Sequence, residues 1–383
     1  MAFVKGRELK RRYELDGADK TCCHLREAIQ EKHLKASDFS IKDLAENLVP
    51  DGREWVANMD PRYKGSASVM EAAGAVDSSA FSNITGQIVY SAILDAHDDP
   101  SFIGDQLATT VPTTLSGEKF PGISGIGDES DTIDEGMPYP LAGVSQSYIE
   151  TPETDKRGMI VPVTKEAIFF DRTNLVLKRC SDVGRWLGVN KEKRIIDIAT
   201  GQTNNWKKDG TAYNTYYASG GHGKVNQHVA VLTDFTDINA AEQLFNALTD
   251  WDTGEPISVI PTTLLIPQAL LNTAESILNS TEQRTATASS ANWVVGPNRY
   301  NGRYKILTSP LVYAQTSSAV KWFLGDFMKG FAYMENWPVT VTQAPANSED
   351  EFKRDIVAQY KASERGVAAV IDPLQAIYSV GSG

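Results

Sequence analysis

Charge is segregated along this 383-residue chain, and that segregation constrains it more than any motif. Residues 65–155 carry one basic side chain, Lys119, against 15 acidic ones. Residues 156–208 reverse the balance, with 12 basic against 5 acidic. The flanks are milder: 13 basic and 12 acidic in residues 1–64, 11 and 17 in residues 209–383. Compact monomeric domains normally intersperse both signs. The acidic stretch is therefore either a solvated surface or a segment that lies against the basic stretch of a neighbouring copy, where complementary charge would set register.

The length suggests two or three domains. With 41% hydrophobic and 22% charged residues, the chain reads as soluble and globular, which excludes collagen-like, mucin-like and wholly disordered classes. A net charge of −12 argues against a generic nucleic-acid coat. Cys22, Cys23 and Cys180 are an odd set with two adjacent members, which fits a reducing compartment. The basic N-terminus has no apolar stretch behind it and is no secretory signal. No run approaches a membrane span, so the default address is cytoplasmic.

Periodicity organises the rest. Residues 1–64 read as a helical extension or satellite bundle, with a helix over Cys22–Lys35 and another after Ser40, where Asp43 occupies a capping-box position. Residues 65–117 read as a small-residue arm with one helix from Gly86 to Asp95, capped by Ser82 or Thr85. Residues 118–165 read as a long Gly-rich excursion with strands at Val144–Ile149 and Gly158–Thr164. Its acidic tip holds Asp128, Glu129, Asp131, Asp134 and Glu135. Residues 171–200 predict a long helix. Val176, Cys180, Val183, Leu187, Ile195 and Ile198 form its apolar stripe, and Lys178, Arg179, Arg185, Lys191, Lys193 and Arg194 fill the other face. Gly184 and Gly188 are expected to weaken or bend it. A polar loop over 202–232, helices from Asp237 and Pro267, a flexible stretch at 281–292 and several short strands follow. The C-terminal β-run is expected to break at Gly366.

No catalytic constellation assembles. The five histidines lack His-x-x-x-His spacing, and Cys22-Cys23-His24 lacks distant partner ligands. His222 and His228 sit in a polar loop and are expected to face solvent. Ser219–Lys224 departs from the phosphate-loop pattern, no Gly-x-Ser-x-Gly elbow occurs, and the acidic tip does not match the helix–loop–helix calcium spacing. Cys180 reads as core, and Trp186, Trp293, Trp322 and Trp337 as packing residues. No catalytic residue, cofactor or metal is assigned.

The order of elements resembles the major capsid protein of tailed bacteriophages, the Hong Kong 97-like fold. Five pieces of text carry the likeness: Ser79-Ala-Phe-Ser-Asn-Ile-Thr-Gly-Gln87, Lys156-Arg-Gly-Met-Ile-Val-Pro-Val-Thr-Lys-Glu-Ala-Ile168, Asp182-Val-Gly-Arg-Trp-Leu-Gly188 with Lys191-Glu-Lys-Arg194, Pro261-Thr-Thr-Leu-Leu-Ile-Pro267, and Arg354 to Ile371. The likeness covers about residues 65–380, so residues 1–64 fall outside it. In some relatives a comparable extension is removed by a protease.

The resemblance implies an α+β fold. It comprises a helical extension (1–64), an N-terminal arm (65–117), an extended β-hairpin loop (118–165), a peripheral domain with a long spine helix (166–230 and 341–383) and an inserted axial domain (231–340). It implies a non-enzymatic shell subunit that self-assembles into pentamers and hexamers around double-stranded DNA. The DNA would be touched weakly and without specificity. Portal and scaffold or decoration proteins are expected partners, membranes are not, and assembly is placed in the host cytoplasm. Asp128, Glu129, Asp131, Asp134 and Glu135 are expected to meet Arg179, Arg185, Lys191 and Arg194 of another copy. Some relatives form an isopeptide cross-link, for which Lys119 is the lysine in the acidic stretch. The rival readings are an encapsulin-like nanocompartment shell and a cytoplasmic α/β hydrolase.

Overall fold

The computed structural model describes residues 6–35, 39–49, 52–58, 79–121, 133–134, 137, 147–169, 175–203, 206–218, 224–286, 293–344, 354 and 356–381. The class is α+β, as expected, and the chain divides into two compact units. The first holds residues 1–100, 156–190 and 337–365; the second holds 101–155, 191–336 and 366–383. The long helix and the strands Phe331–Gln343 and Ile356–Val370 contribute residues to both.

The first unit is built on one buried cluster. Leu9, Leu25, Ile29, Ile41, Leu44 and Leu48 from the N-terminal helices lie in it together with Ile84, Ile88 and Ile93 of the helix Ser79–His97. Val161, Val163, Val176, Cys180, Leu187 and Tyr360 complete it. The N-terminal segment is thus a core component, not a satellite, because its apolar stripes face the same interior as the long helix. Helix Ser79–His97 outruns the expected Gly86–Asp95, and Thr85 lies buried inside it instead of capping it. It starts about two turns earlier and ends about half a turn later, and Ile84 extends the packed face on the N-terminal side.

The long helix, Leu175–Ala199, carries the expected stripe. Its 25 residues span about 37 Å at about 1.5 Å per residue. Gly184 has a packing role: a Cβ there would collide with the carbonyl oxygen of Ile93, so this glycine lets the two helices cross closely.

In the second unit a five-stranded sheet runs in the order Lys305–Thr308, Thr263–Ile266, Trp322–Gly325, Ala376–Ser379, Gln227–His228. Its central strands are buried on both faces, with Leu264, Leu265, Phe323 and Leu324 wholly covered. This sheet recruits 227–228 and 376–379, which lie outside the 231–340 expected for an axial domain.

A second sheet orders Lys119–Pro121, Tyr148–Glu150, Trp206–Lys208 and Thr211–Tyr213. The last two strands replace part of the loop expected over 202–232. Asp209 and Gly210, both with positive φ, form the two-residue turn that matches hairpin twist, and Trp206 is fully buried beneath it. Likewise the stretch expected to be flexible at 281–292 includes the strand Glu282–Ala286, which pairs with Trp293–Pro297 just beyond it.

Gly366 does not break the C-terminal strand, which runs unbroken through Ile356–Val370. A Cβ at 366 would press on the Tyr333 hydroxyl and the Met334 carbonyl, so this glycine serves a close contact.

Candidate inter-subunit surface

The acidic excursion is rooted in the second sheet. Strand Lys119–Pro121 enters it and Tyr148–Glu150 leaves it, paired antiparallel with Lys119 opposite Glu150. Lys119 Nζ lies 3.0 Å from Glu150 Oε1 and 4.3 Å from the Tyr148 ring centroid. The hydrogen bond to Glu150 holds its ammonium pKa above the ordinary lysine value. Lys119 is therefore the charged partner of its own strand pair. Of the tip carboxylates, Asp128, Glu129, Asp131 and Glu135 lie outside the described residues. Asp134 is exposed, and so are Ile133 and Met137 beside it.

The four cations singled out on the long helix have two different fates. Arg179 and Arg185 are exposed, with Trp186 between them and the next turn at 59% exposure. This tryptophan does not pack into the core as expected. Its position opposite the apolar stripe, one residue before Leu187, could have shown that in the sequence.

Lys191 and Arg194 are engaged within the chain. Lys191 Nζ lies 3.0 Å from Asp105 Oδ1 and 5.0 Å from the Tyr333 ring centroid. Arg194 donates to the Gly366 carbonyl at 3.0 Å and to the Tyr333 hydroxyl at 3.3 Å. These partners of Lys191 and Arg194 all lie within the second unit.

Glu192 has a structural role that the sequence reading did not single out. Its carboxylate accepts the Ile103 N–H at 2.9 Å and the Gly104 N–H at 2.6 Å, and the residue is buried. Burial pushes its pKa up, while those two N–H groups pull it down, leaving a net rise. The signal was available: an acid four residues after Gly188 and three before Ile195 sits on the apolar stripe of an otherwise basic helix.

Nothing described resembles a reaction centre. Among the described residues no three or more His, Cys, Asp and Glu side chains converge as a metal site. Burial pushes the Cys180 thiol up to about 12, so it stays protonated in the core. His228 is half-buried against the edge of Trp322, not solvent-facing as expected. A cavity of about 810 Å³ in the first unit is lined by Arg26, Lys32, Tyr90, Asp95 and Ser181 among others, and these side chains form no nucleophile–base pair. Among the described residues no helix is long and apolar enough to cross a membrane.

A family model described as phage capsid protein matches residues 149–379. No curated protein matches the sequence. Solved structures are similar at low identity. The capsid of a native GTA particle is 13% identical, with TM-score 0.47 over 74% of this chain and 90% of that one. The capsid of Cyanophage P-SCSP1u is 14% identical, with TM-score 0.47 over 73% and 87%. A chain from Mycobacterium phage Bobi is 14% identical, with TM-score 0.43 over 74% and 91%.

Proposed function

Because the chain belongs to the phage capsid protein family, as a structural shell subunit of a phage head, we propose that its copies close into pentamers and hexamers around double-stranded DNA. The match over residues 149–379 carries this reading, since it takes in the long helix and the five-stranded sheet. The observed order of helical extension, helix Ser79–His97, Gly-rich excursion, long helix, inserted sheet and returning strand supports the Hong Kong 97-like division into arm, extended loop, peripheral domain and axial domain. On this reading the axial sheet also takes in 227–228 and 376–379.

The contact between copies uses the outward half of the long helix. Arg179 and Arg185 offer charge and Trp186 offers apolar area, the residue types enriched at interface hot spots. Their partner is the acidic tip, Asp128 to Glu135, of a second copy. Asp134 with exposed Ile133 and Met137 has the complementary mixture. The net charge of −12 suits a wall that holds DNA without gripping it. Portal and scaffold or decoration proteins complete the head, which is assembled in the host cytoplasm.

Electron microscopy and sedimentation of the purified full chain test this. Closed shells, or rings of five and six, are expected; a uniform monomer or dimer at every salt and pH overturns it. The double variant Arg179→Glu/Arg185→Glu should lower the yield of shells, and an unchanged yield would remove the helix-face contact while leaving the shell reading intact.

A further inference from the structure

Helix Ser79–His97 ends on a histidine whose side chain is only 11% exposed. The imidazole lies between two carboxylates. Its Nδ1 is 2.7 Å from Asp98 Oδ1, and its Nε2 is 3.6 Å from Glu364 Oε2. Asp98 is the next residue along, but Glu364 comes from strand Ile356–Val370, far away in sequence. The Glu364 side chain is 5% exposed, so its charge sits out of water.

We infer that His97 is a protonation-dependent clasp: as imidazolium it ties the end of helix Ser79–His97 to the strand that carries Glu364, and as neutral imidazole it lets that tie loosen.

Elementary donor counting drives the argument. An imidazolium has two N–H groups and can serve both carboxylates at once. A neutral ring has one, so one of the two carboxylates then faces a nitrogen lone pair.

The surrounding groups leave this logic in place. Asp98 and Glu364 face the ring directly. On the helix itself, Asp95 is coupled to Asp98 and to Lys32 of the N-terminal segment. From strand Asp155–Thr164, Arg157 precedes Gly158, which packs on Ala362 and Ser363. From strand Phe331–Gln343 comes Trp337, over which Arg365 is turned, with 5.5 Å to the ring centroid. Among these groups histidine is the type whose ordinary range lies between pH 6 and 8.

Burial alone would lower the His97 pKa, but the neighbouring carboxylates of Glu364 and Asp98, the latter at hydrogen-bond distance, outweigh it and hold the value above the ordinary one. The sign of the linkage follows. The clasp contributes fully below the ordinary histidine pKa of about 6.5, and its contribution is lost as pH rises through the raised folded value.

Histidine C2 hydrogen exchange on the full chain, read by mass spectrometry peptide by peptide, gives the titration of each histidine. His97 should titrate above the ordinary histidine value of about 6.5, and Glu364→Gln should move it down. Backbone amide exchange in the last turn of helix Ser79–His97, corrected for intrinsic rates, should lose protection several-fold between pH 6 and 8.5. In His97→Gln that pH dependence should vanish. A His97 midpoint at or below the ordinary histidine value of about 6.5, or equal pH slopes in wild type and variant, overturns the clasp. If His97→Gln does not fold, the wild-type titration decides alone.

Discussion

The two halves of the long helix carry the same kind of residue and use it differently. In residues 176–187 the cations Arg179 and Arg185 stay exposed while Val176, Cys180 and Leu187 enter the core of the first unit. In residues 191–199 the cations Lys191 and Arg194 turn to Asp105, Tyr333 and Gly366, and Glu192 caps the backbone at Ile103 and Gly104. Helical periodicity assigns a face to each residue, but it does not say whether that face meets water or a segment 90 or 170 residues away. Exposure is therefore a tertiary property, and of the four cations on this helix it is Arg179 and Arg185 that are exposed.

The largest test of that contrast removes what the first half rests on. Deleting residues 1–58 takes Leu9, Leu25, Ile29, Ile41, Leu44, Leu48 and Val56 out of the shared core. Single large-to-small core changes cost about 2–5 kcal/mol, comparable to a sizeable part of a domain's stability of about 5–15 kcal/mol. The truncated chain should fail to yield soluble folded protein, as read by circular dichroism and solubility. A well-folded truncated chain would restore the N-terminal segment to the status of a detachable extension.

Next in size is Glu192→Ala. It strands two N–H groups in a buried place, and the expected loss is about 2–4 kcal/mol in denaturant unfolding. Glu192→Gln keeps one acceptor and should lose less. It should also alter the pH profile. A carboxyl whose folded pKa is raised contributes stability when protonated, and that contribution is lost as pH rises through the folded value. The glutamine variant should lack this fall on the acid side, and an unchanged profile would mean that Glu192 does not titrate there.

How far all this was legible depends on range. Local signals were read correctly: the long helix, its apolar stripe and Cys180 on it are where 3.6-residue spacing puts them. Two local signals were overlooked. Asp209-Gly210 is a hairpin turn in plain sequence, and Glu192 is an acid on an apolar stripe. Other features had no local sign. The bonds of Arg194 to Tyr333 and Gly366 need two strands that arrive 139 and 172 residues later, and the tightness behind Gly184 depends on Ile93 of a helix far earlier in the chain. The acidic tip shows the same limit from the other side. Its composition was plain, but Asp128, Glu129, Asp131 and Glu135 lie outside the described residues, so their pairing rests on complementarity with the exposed helix half.

The smallest effects separate the halves most sharply, because they ask for a difference in kind. Arg194→Ala removes two charge-assisted hydrogen bonds made by a half-buried side chain, one to a carbonyl and one to a phenol. A loss of about 1–2 kcal/mol in subunit stability is expected, with shell formation affected only through that loss. Arg179→Ala and Arg185→Ala alter exposed positions, so subunit stability should change by no more than about 0.5 kcal/mol. Shell yield should nevertheless fall at low salt, and the deficit relative to wild type should shrink as salt is raised, because an exposed charge contact is screened. Unfolding and sedimentation on the same three variants place each arginine on one axis or the other. If Arg179 and Arg185 moved unfolding as much as Arg194 does, or if all three left shell yield alike, the helix would be one uniform structural element and its first half would lose its claim as the contact between copies.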